Sequence, residues 1–165
     1  MIAAHKYMPI VATNRRTREL PNYRPSSRYT AGSANKGRFK EMPRFDAETL
    51  RRLRAAREVS IRTEKHPDSA VVIWVVVPDD EVFVRSWRGT RGRWYRDLAT
   101  GGSASLEFGG RRLSVRAIPT NDAAAIARVS GEFLRQYQSS SHAPEMVRTE
   151  ILPTTLRLEP REATQ

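Results

Sequence analysis

The segment Val71-Val-Ile-Trp-Val-Val-Val77, Pro78-Asp-Asp80, Glu81-Val-Phe-Val-Arg-Ser86 decides how the rest of the chain is read. Seven consecutive apolar residues, β-branched apart from Trp74, read as a central strand. Pro78, Asp79 and Asp80 supply turn chemistry, and Val82, Phe83 and Val84 resume the strand, so the two runs predict a hairpin.

Working outward, residues 59–63 alternate as a preceding strand. Before it, Asp46 is a helix N-cap, with Phe45 and Leu50 in the hydrophobic-staple arrangement and Leu50, Leu53 and Ala56 at helical spacing up to about Glu58. Downstream, Trp94 to Leu98 reads as a short helix closed by Gly101 and Gly102. Leu106 and Phe108, then Gly109-Gly110, then Leu113, Val115 and Ala117 form a second hairpin around a two-residue turn. Thr120 or Asn121 caps a longer helix whose stripe is Ile126, Val129, Phe133 and Tyr137. Thr154, Leu156 and Leu158 alternate in a closing strand. About six short strands in consecutive hairpins, with flanking helices, predict a mainly β, α+β domain: a small antiparallel split β-barrel.

The 165 residues hold 29 Lys and Arg against 18 Asp and Glu, a net charge of +11. That charge is unevenly spread, with 10 bases and 2 acids in residues 1–44 against 19 and 16 in residues 45–165. The first segment mixes Pro, Gly, Ser and Asn without apolar period and is read as a disordered basic tail. Arg24, Arg28, Lys36, Arg38 and Lys40 interleave there with Tyr23, Tyr29 and Phe39, the composition of a nucleic-acid arm. The other reading is a start at Met42. The organisation expected is thus a tail over 1–44, a split-barrel domain over 45–160 and a disordered end over 161–165.

Absence of cysteine excludes disulfides, thiolate metal sites and cysteine nucleophiles, and agrees with a reducing cytoplasm. The longest apolar run is far short of the roughly 20 residues of a membrane span, so a soluble cytoplasmic protein without membrane association is expected. No GxSxG, HExxH, GK[ST] phosphate loop or GxGxxG pattern occurs. His5, His66 and His142 stand far apart and read as solvated loop residues, which predicts no metal site. Asp79, Asp80 and Glu81 are turn residues rather than a catalytic carboxylate pair.

Arg85 to Arg96, RSWRGTRGRWYR, resists such a reading. It carries five arginines, no acid, two glycines, two hydroxyl residues and three large aromatics directly after a buried strand. Guanidinium forks bind phosphate, hydroxyls and glycine-freed amides add donors, and aromatic rings cover planar groups. The segment is either a cradle for a phosphorylated planar cofactor, a solvated loop with Trp94 in the core, or a single-strand nucleic-acid surface.

The order of strands and the pieces Ile73-Trp74-Val75, Val84-Arg85-Ser86 and Trp94-Tyr95-Arg96 resemble an uncharacterised family with the flavin-reductase-like, pyridoxamine-phosphate-oxidase-like split-barrel fold, distantly related to deazaflavin-dependent nitroreductases. The resemblance covers about residues 45–160. It implies a cofactor, FMN or a deazaflavin coenzyme, in a groove at a homodimer interface, with Arg85 and Ser86 on the phosphate side and Trp94 and Arg96 on the helix lining the groove. Those nitroreductases carry Gly-Arg-x-Ser-Gly before the central strand, where this chain has Thr63-Glu-Lys-His-Pro-Asp-Ser69. Two functions are therefore carried forward: a flavin- or deazaflavin-dependent oxidoreductase of unknown substrate, and a noncatalytic small-ligand or RNA-binding module using loop 85–96. Val72 and Trp74 are expected to support the homodimer. Arg85→Ala is expected to weaken cofactor binding by about 1.5–3 kcal/mol with the fold intact.

Overall fold

A computed structural model describes residues 43–161. The basic-tail assignment and the start at Met42, His5 and residues 162–165 of the expected disordered end lie outside them.

Helix α1 (Ala47–Ala56) begins where expected: the Asp46 carboxylate accepts the Thr49 amide at 2.8 Å, and Phe45 packs against the core that contains Leu50 and Leu53. It ends at Ala56, two residues earlier than expected, because Arg57 with its φ of 58° breaks the helical path. Six strands follow: β1 (Glu58–Thr63), β2 (Val71–Val76), β3 (Val82–Arg85), β4 (Ser103–Phe108), β5 (Arg111–Pro119) and β6 (Thr155–Pro160). All pair antiparallel in the order β1-β2-β3-β6-β5-β4, and β1 pairs with β4 to close the barrel. Closure leaves no edge strand to protect. The expected hairpins β2–β3 and β4–β5 are present, the latter across Gly109 and Gly110, both with positive φ (53° and 73°), as a two-residue turn of this type requires. Sequence order is broken at two pairings, β3 with β6, which enters between β3 and β5, and β1 with β4.

The sheet is buried on both sides along the end of β2 and along β3. Val75, Val82 and Val84 join Val59, Ile61, Leu106, Val115, Leu156 and Leu158 in the barrel core. Val76 and Phe83 point the other way, into a second core with Val129 and Phe133 of helix α3 (Ala123–Gln136), its C-cap Tyr137, and Ala143, Met146 and Ile151 of the 3₁₀ turns that follow. This double burial is the physical reason the run lacks polar alternation at residues 75–77, whereas Val72 in its first half is exposed. Helix α3 is capped by Asp122, which accepts the Ala125 amide at 2.7 Å, rather than by Thr120 or Asn121. Of its expected stripe, Val129, Phe133 and Tyr137 are buried, Ile126 only in part.

The short helix α2 (Arg93–Leu98) inserts Trp94 and Leu98 into the barrel core, one turn apart on one face. Among the described residues no helix is long and apolar enough to cross a membrane.

Candidate functional site

The β2–β3 ladder is short. Val75 pairs with Val84 and Val76 with Phe83, and continuing that register would oppose Trp74 to Arg85 and Ile73 to Ser86, but pairing stops there. Beyond that point the chain after β3 turns away through a 3₁₀ turn (Gly89–Arg91) into α2. The gap between the parting strands is a groove of about 800 Å³, within the size range of small-molecule sites. Val71 to Trp74 form one bank and residues 85–88 with the start of α2 the other, while His142 and Met146 close it from the segment after α3. All four residues singled out from the sequence line it.

Their roles differ from the sequence reading. Arg85 does leave the barrel interior, as alternation requires, but does not reach solvent: it is 1% exposed, covered by α3 and the 3₁₀ turns beyond it. Nε donates to Thr155 Oγ1 at 2.9 Å, Nη1 to Ser130 Oγ at 3.1 Å and the Met146 carbonyl at 2.6 Å, and Nη2 to the Ile126 carbonyl at 3.4 Å. The guanidinium also lies over the Phe133 ring, 5.4 Å from its centroid. No carboxylate is among these partners, and burial pushes its pKa down to about 10. Arg85 is thus a buried cation whose hydrogen bonds are supplied and whose charge is not neutralised.

Ser86, also 1% exposed, has a hydroxyl without a hydrogen-bond partner. It is kept in place by Gly92, where an added Cβ would come within 2.4 Å of Ser86 Oγ, so no other residue fits there without displacement. Trp94 is 8% exposed and held by the barrel core, with its ring edge-on to Tyr95. The i,i+4 pairing with Leu98 seats most of its indole in the core, and what remains lines the groove. The exposed aromatic surface of the groove is Trp87, 52% exposed, beside Val72, 64% exposed.

Arg96 is exposed on the outer side of α2, as are Arg88, Arg91 and Arg93 along the same bank. None of the four pairs with a carboxylate of the described residues; Arg93 donates to the neutral Ser69 Oγ. Elsewhere arginines are largely neutralised: Arg51 and Arg52 by Glu48, Arg62 and Arg112 by Glu107, and Arg128 by Asp79 and Glu81. Arg111 and Arg116 also lack carboxylates, but stand apart on the exposed side of β5. The groove is lined by five arginines and one carboxylate, Glu58, which accepts the Trp74 indole N–H at 3.2 Å. Trp74 in turn stacks on Tyr137, 4.0 Å between centroids.

The two described histidines are not plain solvated loop residues. His66 Nδ1 donates at 2.8 Å to Asp97, which also accepts Thr63 Oγ1 at 2.7 Å; burial raises the Asp97 pKa, and these hydrogen bonds outweigh it, leaving it lowered. His142 at the groove approaches Glu145, and Glu145 also accepts the Trp87 indole N–H, which with His142 holds its carboxyl below the usual range. His142 and Met146 were not legible as groove residues, because no local pattern links them to loop 85–96.

Residues 49–158 match the bacterial family described as "Uncharacterized protein conserved in bacteria (DUF2255)". No curated protein matches the chain. Among solved structures, the chain is similar to a conserved hypothetical protein of Mycobacterium tuberculosis, Rv2991, at 14% identity and a TM-score of 0.48, over 76% of this chain and 84% of that one.

Proposed function

Starting from the fact that the chain belongs to the DUF2255 family of uncharacterised bacterial proteins, we propose that its groove binds a phosphorylated planar cofactor of the FMN or deazaflavin type and that the protein is an oxidoreductase of the cytoplasm. The observation that carries the reading is the bank of four outward arginines without carboxylate partners, set around a cavity of cofactor size. Like charges kept together at an opening are costly unless an anion neutralises them. The residues present fit such a group. Arg88, Arg91, Arg93 and Arg96 would hold phosphate, the unpartnered Ser86 hydroxyl would donate to one of its oxygens, and Val72 and Trp87 offer apolar cover for a ring.

The cofactor's ring system supplies the hydride chemistry when bound, so no catalytic triad or metal is required of the chain. The protein's own work is to bind, to orient and to exclude water. Arg85, below the groove and without a counter-charge, raises the local positive potential toward an anion without itself leaving the core. The exposed Val72 beside Trp74 makes a second copy of the chain the natural cover for this bank, and the homodimer belongs to the same proposal.

Titrating the purified full chain with FMN and with a deazaflavin coenzyme tests the reading by thermal shift and by a visible band that stays with the protein on gel filtration. A ligand specific to the native state stabilises by about 2.7 kcal/mol at a hundredfold excess over its Kd. No shift and no retained band with either compound would sink it. RNA retention on a filter that is lost in Arg91→Gln, with no cofactor response, would instead establish the binding-module reading.

A further inference from the structure

The groove arginines fall into two pairs. Arg88 precedes and Arg91 ends the single 3₁₀ turn Gly89–Arg91, and Arg93 and Arg96 are three apart on α2. The i,i+3 spacing on α2 makes Arg93 and Arg96 neighbours on one face, and the short turn keeps Arg88 and Arg91 close along the chain on the same bank of the groove. No described carboxylate neutralises either pair. The one carboxylate lining the groove, Glu58, is already engaged by the Trp74 indole N–H. Beneath them Arg85 adds a buried charge that also meets no carboxylate, and the Ser86 hydroxyl, 1% exposed, lacks a partner.

A single phosphate carries about −1.5 to −2 at neutral pH and can be gripped by one such pair. It would leave the other pair facing itself across the same groove. Resting on the reading given above, we propose that the groove takes a ligand with two phosphate-type groups, one gripped by Arg88 and Arg91 and the other by Arg93 and Arg96. The chemical class is a nucleoside diphosphate, a dinucleotide or another bisphosphorylated compound. The two grips are different in kind: one is built on a loop turn whose neighbour Gly92 leaves room for the Ser86 hydroxyl, the other on a helix pinned to the barrel core by Trp94 and Leu98.

The test uses inorganic pyrophosphate and orthophosphate as probes, read by thermal shift and by competition against FMN, on the full chain and on two double variants, R88Q/R91Q and R93Q/R96Q. All four arginines are exposed, and a cooperative melt without ligand at or slightly above the wild-type temperature verifies that each variant folds. Pyrophosphate is expected to bind at least about tenfold more tightly than orthophosphate, and each double variant is expected to remove that advantage while keeping orthophosphate binding at the remaining pair. Pyrophosphate binding no better than orthophosphate, or an advantage that survives in either double variant, would overturn the two-phosphate inference. If FMN still binds in that case, the cofactor reading stands alone; if FMN, pyrophosphate and orthophosphate all fail to shift the wild-type protein, both fall together.

Discussion

Arg157 on β6 and Arg85 on β3 are near neighbours in one ladder: Phe83 pairs with Arg157, and two residues along, Arg85 pairs with Thr155. Yet Arg157 donates to the carboxylates of Glu81 and Glu159, whereas Arg85 is deeper and meets only hydroxyls and carbonyls. The division continues outward. On the Arg157 side, Asp79, Asp80 and Glu81 in the β2–β3 turn also neutralise Arg128 and Arg54. On the Arg85 side, the twelve residues from Arg85 to Arg96 contain no acid at all. Paired arginines fasten elements of the fold to one another. Unpaired ones store positive potential where the strands part, which is a use for a ligand and a cost for the protein alone.

The largest effect expected from breaking this contrast is at Arg85. Arg85→Ala leaves a cavity against Phe133 and the Met146 carbonyl without its donor, and should lower stability by about 3–5 kcal/mol in urea unfolding. This replaces the sequence-based expectation of a neutral fold, because alternation showed which side of the sheet Arg85 occupies but not that α3 would cover it. Arg85→Met separates the two contributions. It fills most of the volume and removes the buried charge, so stability should return to within about 2 kcal/mol of the wild type while FMN affinity stays reduced. Full recovery of both would show that the charge has no part in binding.

What could be read from the sequence was what is local. The 71–77 run announced a central strand, Asp46 its capping role and Gly109-Gly110 their turn, and the acid-free arginine segment stood out before its residues were found to line the groove. What could not was long-range. Nothing near Thr155 says that β6 inserts between β3 and β5, and nothing near His142 says that it meets loop 85–96. The cap of α3 shows a subtler limit: Thr120, Asn121 and Asp122 are all capping types, and only the chain path selects the one whose carboxylate reaches the Ala125 amide.

A medium effect is expected at Asp97, which follows Arg96 directly and could have neutralised the groove. Its carboxylate instead turns to Thr63 and His66, tying α2 to the end of β1 and the loop after it. Asp97→Asn should cost about 1–2 kcal/mol of stability and leave FMN affinity unchanged. The pH dependence has a definite sign. Because the Asp97 pKa is lowered in the fold, the unfolded chain binds more protons between the folded value and about 3.9. Its contribution is therefore complete above that window and lost as pH falls through it, and the acid limb of a pH-stability curve should flatten in Asp97→Asn. A variant with strengthened FMN binding would mean that Asp97 does compensate the groove, because removing a neutralising carboxylate leaves the arginines more attractive to an anion.

The smallest effects discriminate most sharply, because their signs should differ. Arg128 joins α3 to the β2–β3 turn through exposed contacts with Asp79 and Glu81, so Arg128→Gln should lower stability by about 0.2–1 kcal/mol, the usual value of an exposed pair. Arg91→Gln removes a cation that has no carboxylate partner and has Arg88 three residues before it. In the ligand-free protein this relieves repulsion, so stability should rise by about 0.2–0.5 kcal/mol. Both changes are electrostatic at the surface and should shrink toward zero at about 1 M salt, where charges are screened within roughly 3 Å. Denaturation midpoints of the two variants at low and high salt therefore form a cross: opposite displacements at low salt that converge as salt is added. If Arg91→Gln destabilises as Arg128→Gln does, the groove arginines are serving the fold, and the distinction between fastening and ligand-holding arginines is lost.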